Sequence, residues 1–164
     1  VLPHRVDLPP DEVPRTAGAA FAAGLGLGLI ALWGARRRRR ATAALALGFW
    51  LLCGFAGSLM LFIWFGTAHV AGHANQNALL LSPLAFALLP GGFAIARGRA
   101  PSRRFEAWLW VVAGSAALAA FLTFLPFLVQ RNLAWVLLLL PLHLALARGL
   151  SRPSTLVAGP VAGR

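Results

Sequence analysis

Apolar residues along this chain come in five long runs, and most polar and charged residues gather in the stretches between them. The runs are Thr16–Ala35, Ala41–Gly66, Asn77–Ala96, Ala107–Val129 and Leu133–Ala147. The first four are as long as the roughly 20 residues that carry an α-helix across a bilayer, and the fifth reaches that length only with its flanks. Hydrocarbon offers no water to an unpaired backbone group, so all five are read as helices. Pro83 and the Pro90-Gly91-Gly92 step predict kinks in the third run, and Pro141 interrupts the fifth. The expected fold is all-α and integral to a membrane, a bundle of five transmembrane helices over residues 16–150.

Composition agrees with that pattern. The chain is 59% hydrophobic and 12% charged, with a mean hydropathy of +0.75, whereas a soluble domain carries about a quarter charged residues. The net charge of +11 comes from arginine, with no lysine in the chain. Those arginines flank the apolar runs, which reads as facing anionic lipid and not nucleic acid. With five spans, twelve arginines fall on one side (Arg36 to Arg40, Arg97, Arg99, Arg103, Arg104, Arg148, Arg152, Arg164). Three fall on the other (Arg5, Arg15, Arg131). The positive-inside bias then places the N-terminus outside and the C-terminus in the cytoplasm. Residues 1–15, stiffened by Pro3, Pro9, Pro10 and Pro14, read as an extracytoplasmic linker from an upstream domain, and 151–164 as a cytoplasmic tail.

The outer loops are where the neutral polar groups collect. The stretch "FGTAHVAGHANQNALLLSP" contains Thr67, His69, His73, Asn75, Gln76 and Asn77, and the other outer loop contains Gln130 and Asn132. Three readings are open. Asn75 or Asn77 suits the N-cap of the third helix, and the remaining groups would hydrogen-bond loop backbone. His69 and His73 share a face if helical, but no third ligand completes a metal site, so neither a metal nor another cofactor is expected. The third reading is a surface that takes a polar headgroup or supports a catalytic domain outside the membrane.

Within that stretch, Trp64, Phe65, Thr67, His69, Asn75, Asn77, Leu79, Pro83 and Leu84 resemble the signature of the membrane region of Lnb-type bacterial lipoprotein N-acyltransferases. Gln130 and Asn132, through Trp135 to Pro141, fit the same region. Ser82 departs from it, since family members favour Asn before the Pro-Leu pair. The resemblance implies a papain-like, NlpC-type periplasmic cysteine domain ahead of five helices in the bacterial inner membrane. It implies acyl transfer to the α-amino group of a lipoprotein's lipidated cysteine, with phospholipid and lipoprotein as substrates. His69, Asn75, Asn77, Thr67, Gln130 and Asn132 become the candidates for binding substrate or supporting the site.

The nucleophile is expected outside this stretch of chain. The only thiol, Cys53, lies thirteen residues before the outer end of the second run, roughly 20 Å at the rise of an α-helix, and is expected to serve packing. His143 is expected to hydrogen-bond a carbonyl freed by Pro141. Small residues in the first run (Gly24, Gly26, Gly28) offer close helix approach, and most of the six tryptophans sit near span ends. Phe121 and Phe124 are placed either to flank an acyl chain or to face lipid. Two other classes compete with the acyltransferase reading. A transporter is disfavoured because no acidic residue lies inside a span. A purely structural anchor has no need of five spans or of a polar cluster on one face.

Overall fold

The computed structural model describes residues 12–67, 75–125 and 132–151. Among these residues the chain is all helical, and five segments are long and apolar enough to cross a membrane. In chain order they are α1 (Glu12–Arg37), α2 (Arg39–Gly66), a broken third span, α5 (Arg103–Thr123) and α6 (Leu133–Leu150). The third span is built from α3 (Asn77–Leu80), a 3-10 segment (Pro83–Leu88) and α4 (Leu89–Ala96).

Helix limits differ from the apolar runs for local reasons. Helix α1 continues through Arg37 and α6 through Leu150, since arginine is a good helix former and its charged head can reach water from a span end. Ser102 accepts the Phe105 N–H at 3.1 Å and starts α5 ahead of the apolar run. Helix α5 stops at Thr123, short of Val129, because Pro126 cannot donate to the ladder and disfavours helical backbone at the residue before it.

The core sits between α2, α4, α5 and α6. Trp50, Cys53, Leu88, Ile95, Phe105, Leu109, Val112 and Leu150 pack there, with the Trp50 and Phe105 rings edge to face at 5.9 Å. Trp50 is therefore a core residue, unlike Trp33 and Trp135, which stay exposed. Cys53 is fully buried in this cluster, in line with a packing role. Gly92 lets α4 approach Leu47 and Trp50, which a Cβ would meet at 2.7 Å, and Gly91 lies against the Phe105 ring.

Helix α1 packs mainly on α6. A Cβ on Gly24 would run into the Leu137 carbonyl and one on Gly28 would meet the Pro141 carbonyl at 3.0 Å, while Gly26 faces open space. The working pair is thus a small-x3-small motif, one turn apart on one face. It also accounts for a carbonyl: Pro141 has no N–H for Leu137, four residues earlier, and that freed oxygen is covered by Gly24.

Two contacts gather the arginine-rich loops at one end of the bundle. Arg39 donates to the carbonyls of Leu150 and Ser151 at 2.6 and 3.0 Å, and the Arg40 guanidinium lies over Gly98. Gly98 takes a positive φ of 81°. It closes α4 with bonds from its own N–H to Ile95 and from Arg99 to Ala94, at 2.8 Å each.

Candidate functional site

At the opposite end, the break in the third span decides where the polar groups go. Pro83 has no N–H, so the Leu79 carbonyl loses its helical partner. The Leu84 N–H turns to Ser82 Oγ at 3.3 Å, and that leaves the Leu80 carbonyl without its own. Both oxygens are taken up by neighbouring spans. Ser115 of α5 donates to Leu79 at 2.8 Å, and His143 Nε2 of α6 lies 3.1 Å from the Leu80 oxygen. A carbonyl only accepts, so Nε2 carries the proton in this contact. The Leu81 carbonyl packs onto Gly57 of α2, where any Cβ would collide with it.

His143 thus bonds a carbonyl released by the break at Pro83, not one released by Pro141. It is buried, with the Phe49 ring 5.0 Å away. Pro83 does more than kink the span. It divides it, and Ser82 caps the second piece.

The predicted polar residues separate into those that meet and those that do not. Asn75 Oδ1 accepts the Asn77 N–H at 3.0 Å, and its carbonyl accepts from Ala78, so Asn75 forms the turn that leads into α3, whose N-cap position is Gln76 and not either asparagine. The Asn77 side chain points across the bundle, where its Oδ1 accepts from Asn132 Nδ2 at 3.3 Å. Asn132 is 1% exposed. Its Oδ1 lies 2.9 Å from the Thr123 hydroxyl, which also lies 2.8 Å from the Ala119 carbonyl. Although Asn132 stands at the start of α6, its side chain does not cap that helix; it joins the third span, α5 and α6. Thr67 bonds back to the Ile63 carbonyl at 2.6 Å on its own helix. His69, His73 and Gln130 lie outside the described residues.

Thr123 and Ser115 complete this end of the bundle, yet in the sequence they are two isolated small polar residues in one apolar run. The available signal was that a hydroxyl within a span is satisfied by its own helix or by a neighbour.

Beside the network lies a cavity of about 500 Å³ between α2, the third span and α5. Leu61, Trp64, Leu79 and Leu122 give it apolar walls, and Asn75, Gln76, Ser82 and Ser115 add polar groups. Leu84, at its edge, is 42% exposed within a membrane-spanning segment, so the cavity meets the lipid-facing surface there. Its volume lies in the range of pockets that bury a small molecule. Phe121 and Phe124 are exposed, and the cavity takes Leu122 from that helix end.

Chemically, this end offers uncharged donors and acceptors next to an apolar space. Among the described residues no three His, Cys, Asp or Glu side chains gather as metal ligands. A family model, the Lnb transmembrane domain, matches residues 19–152. The chain belongs to that family. No curated protein and no solved structure matches it. The Lnb match runs from within the first span through the fifth and covers both polar loops, so the protein is a multi-pass membrane protein. Several residues that carried the Lnb resemblance now have structural roles: Asn75 forms the turn into α3, Asn77 crosses to Asn132, Leu79 bonds Ser115, and Pro83 makes the break.

Proposed function

We propose that this Lnb domain is the membrane part of a lipoprotein N-acyltransferase. In this reading it holds a periplasmic cysteine domain of the same chain against the outer leaflet of the bacterial inner membrane. The cavity between α2, the third span and α5 receives an acyl chain of the phospholipid or lipoprotein substrate. The observation that carries the reading is the cavity's position, apolar within, open at Leu84, and bordered by Asn75 and Gln76 at the polar end.

The chemistry follows from that placement. A chain held in the apolar space keeps its ester near the polar end, within reach of a catalytic domain resting there. Confining two reactants in this way contributes several kcal/mol toward a bimolecular barrier. Asn75 and Gln76, which line the cavity, would orient carbonyl and headgroup oxygens, with His69, Thr67 and Gln130 supporting the same surface and the Asn77–Asn132 pair holding the spans beneath it. Acyl transfer itself would use the thiolate and base of the cysteine domain.

The test replaces the five spans of the full-length enzyme by one unrelated membrane anchor. N-acylation is read by mass spectrometry of the lipoprotein's N-terminal peptide at matched expression. Acylation is expected to fall to background; full acylation would reduce the spans to an anchor.

A further inference from the structure

The arginine-rich end contains a second feature, remote from the polar network. Between the end of α1, the start of α2 and the end of α6 is a cleft of about 370 Å³. Arg36, Arg39 and Arg148 line it, Leu32 and Ala35 form its apolar side, and Gly149 and Ser151 complete it. Among the described residues no carboxylate lines it. Three guanidinium groups around one space repel each other, and an anion between them removes that repulsion.

The cleft is also partly organised. One Nη of Arg39 makes both bonds to the Leu150 and Ser151 carbonyls, at the C-terminal end of α6, where a cation is favoured. Among the described residues the other N–H groups of that guanidinium have no further partner, and their fork matches phosphate oxygens. Ala35 and Gly149 are packed so closely that a Cβ on Gly149 would lie 2.6 Å from the Ala35 Cβ. This contact fixes the floor between α1 and α6, while Arg36 and Arg148 remain exposed above it.

Depth in the membrane selects the kind of anion. Trp33, 61% exposed one turn before the cleft, marks the level where aromatic rings meet headgroups. Below it, Leu29 and Ile30 are exposed on α1 and offer an apolar track for acyl chains. We propose that the Arg36–Arg39–Arg148 cleft binds the phosphodiester of an anionic phospholipid in the leaflet at the arginine-rich end, with its acyl chains lying along α1.

The test uses the full chain purified in detergent micelles, with fluorescent phosphatidylglycerol or phosphatidylcholine as probe and anisotropy as readout. Phosphatidylglycerol is expected to bind at least tenfold more tightly than phosphatidylcholine. Arg36→Gln and Arg148→Gln each weaken it about fivefold, and the pair about 30-fold, from the typical attraction of one arginine to an anionic surface. Arg103→Gln with Arg104→Gln, at the same end but outside the cleft, leaves binding within about twofold. Arg39 is kept because it also closes α6. Equal loss in the Arg103/Arg104 pair would replace the site by diffuse surface charge and overturn the proposal. Unchanged binding in the Arg36/Arg148 pair would do the same. Inorganic phosphate at equimolar concentration is expected not to displace the lipid; full displacement would assign the cleft to a soluble anion.

Discussion

His143 Nε2 lies 3.1 Å from the carbonyl oxygen of Leu80, sixty-three residues earlier in the chain. That contact and its neighbour, Ser115 to Leu79 at 2.8 Å, explain how a membrane span tolerates a break. Each freed carbonyl in hydrocarbon would cost several kcal/mol if nothing bonded it. The polar side chains of α5 and α6 are placed where the third span needs donors.

The pairing of Ser115 with the gap at Pro83 gives a double-mutant test. Ser115→Ala should destabilise the protein by about 1 kcal/mol, as an interhelical hydrogen bond in a bilayer does. Pro83→Ala returns an N–H to position 83, and in that background Ser115→Ala should cost about half as much or less. Reversible unfolding in mixed detergent reads both. Equal costs in the two backgrounds would show that Pro83 is not what frees the Leu79 carbonyl.

His143→Ala removes a buried ring as well as the donor to Leu80. The expected loss is about 2–4 kcal/mol, combining a cavity with an unpaired carbonyl. His143→Phe refills most of the volume but not the hydrogen bond, and should recover only part of the loss in the same unfolding measurement.

Asn132 and Asn77 should behave as a coupled pair. Asn132→Leu or Asn77→Leu alone leaves an amide group without its cross-span partner, costing about 1–2 kcal/mol. The double change should cost less than the sum by roughly 0.5 kcal/mol or more. Additive effects would mean that the two amides do not bond each other.

The glycines of α1 predict an asymmetry along one turn. Gly24→Val drives a side chain into the Leu137 carbonyl and should separate α1 from α6, lowering stability by about 2 kcal/mol or more. Gly26→Val points into open space and should change it by about 0.5 kcal/mol or less. A cysteine pair engineered across α1 and α6 would report the separation by loss of cross-linking.

The sequence made the spans legible because an apolar run of span length has few alternatives in water. It also exposed the glycines of the first run, though not that Gly24 and Gly28 pack while Gly26 faces open space, together with the polar ends of the third and fifth runs and the prolines. Partners across the bundle were not legible. Nothing around Asn132 says that its side chain leaves its own helix for Asn77 and Thr123, and nothing around His143 says that it serves the Leu80 carbonyl and not the gap left by Pro141. Those choices depend on how α5 and α6 pack beside the third span. Trp50 was hidden for the same reason, since a tryptophan in an apolar run reads alike in the core and at an interface.

The most direct test of the proposed role narrows the cavity while leaving the network intact. Leu84→Trp enlarges a side chain at the opening, on the exposed side of the 3-10 segment. The measurement is the initial rate of lipoprotein N-acylation by the full-length enzyme, at matched protein level and with unfolding behaviour unchanged. The rate is expected to fall at least tenfold, about 1.4 kcal/mol in the barrier. Acylation at the parental rate would mean that no substrate chain enters between α2, the third span and α5.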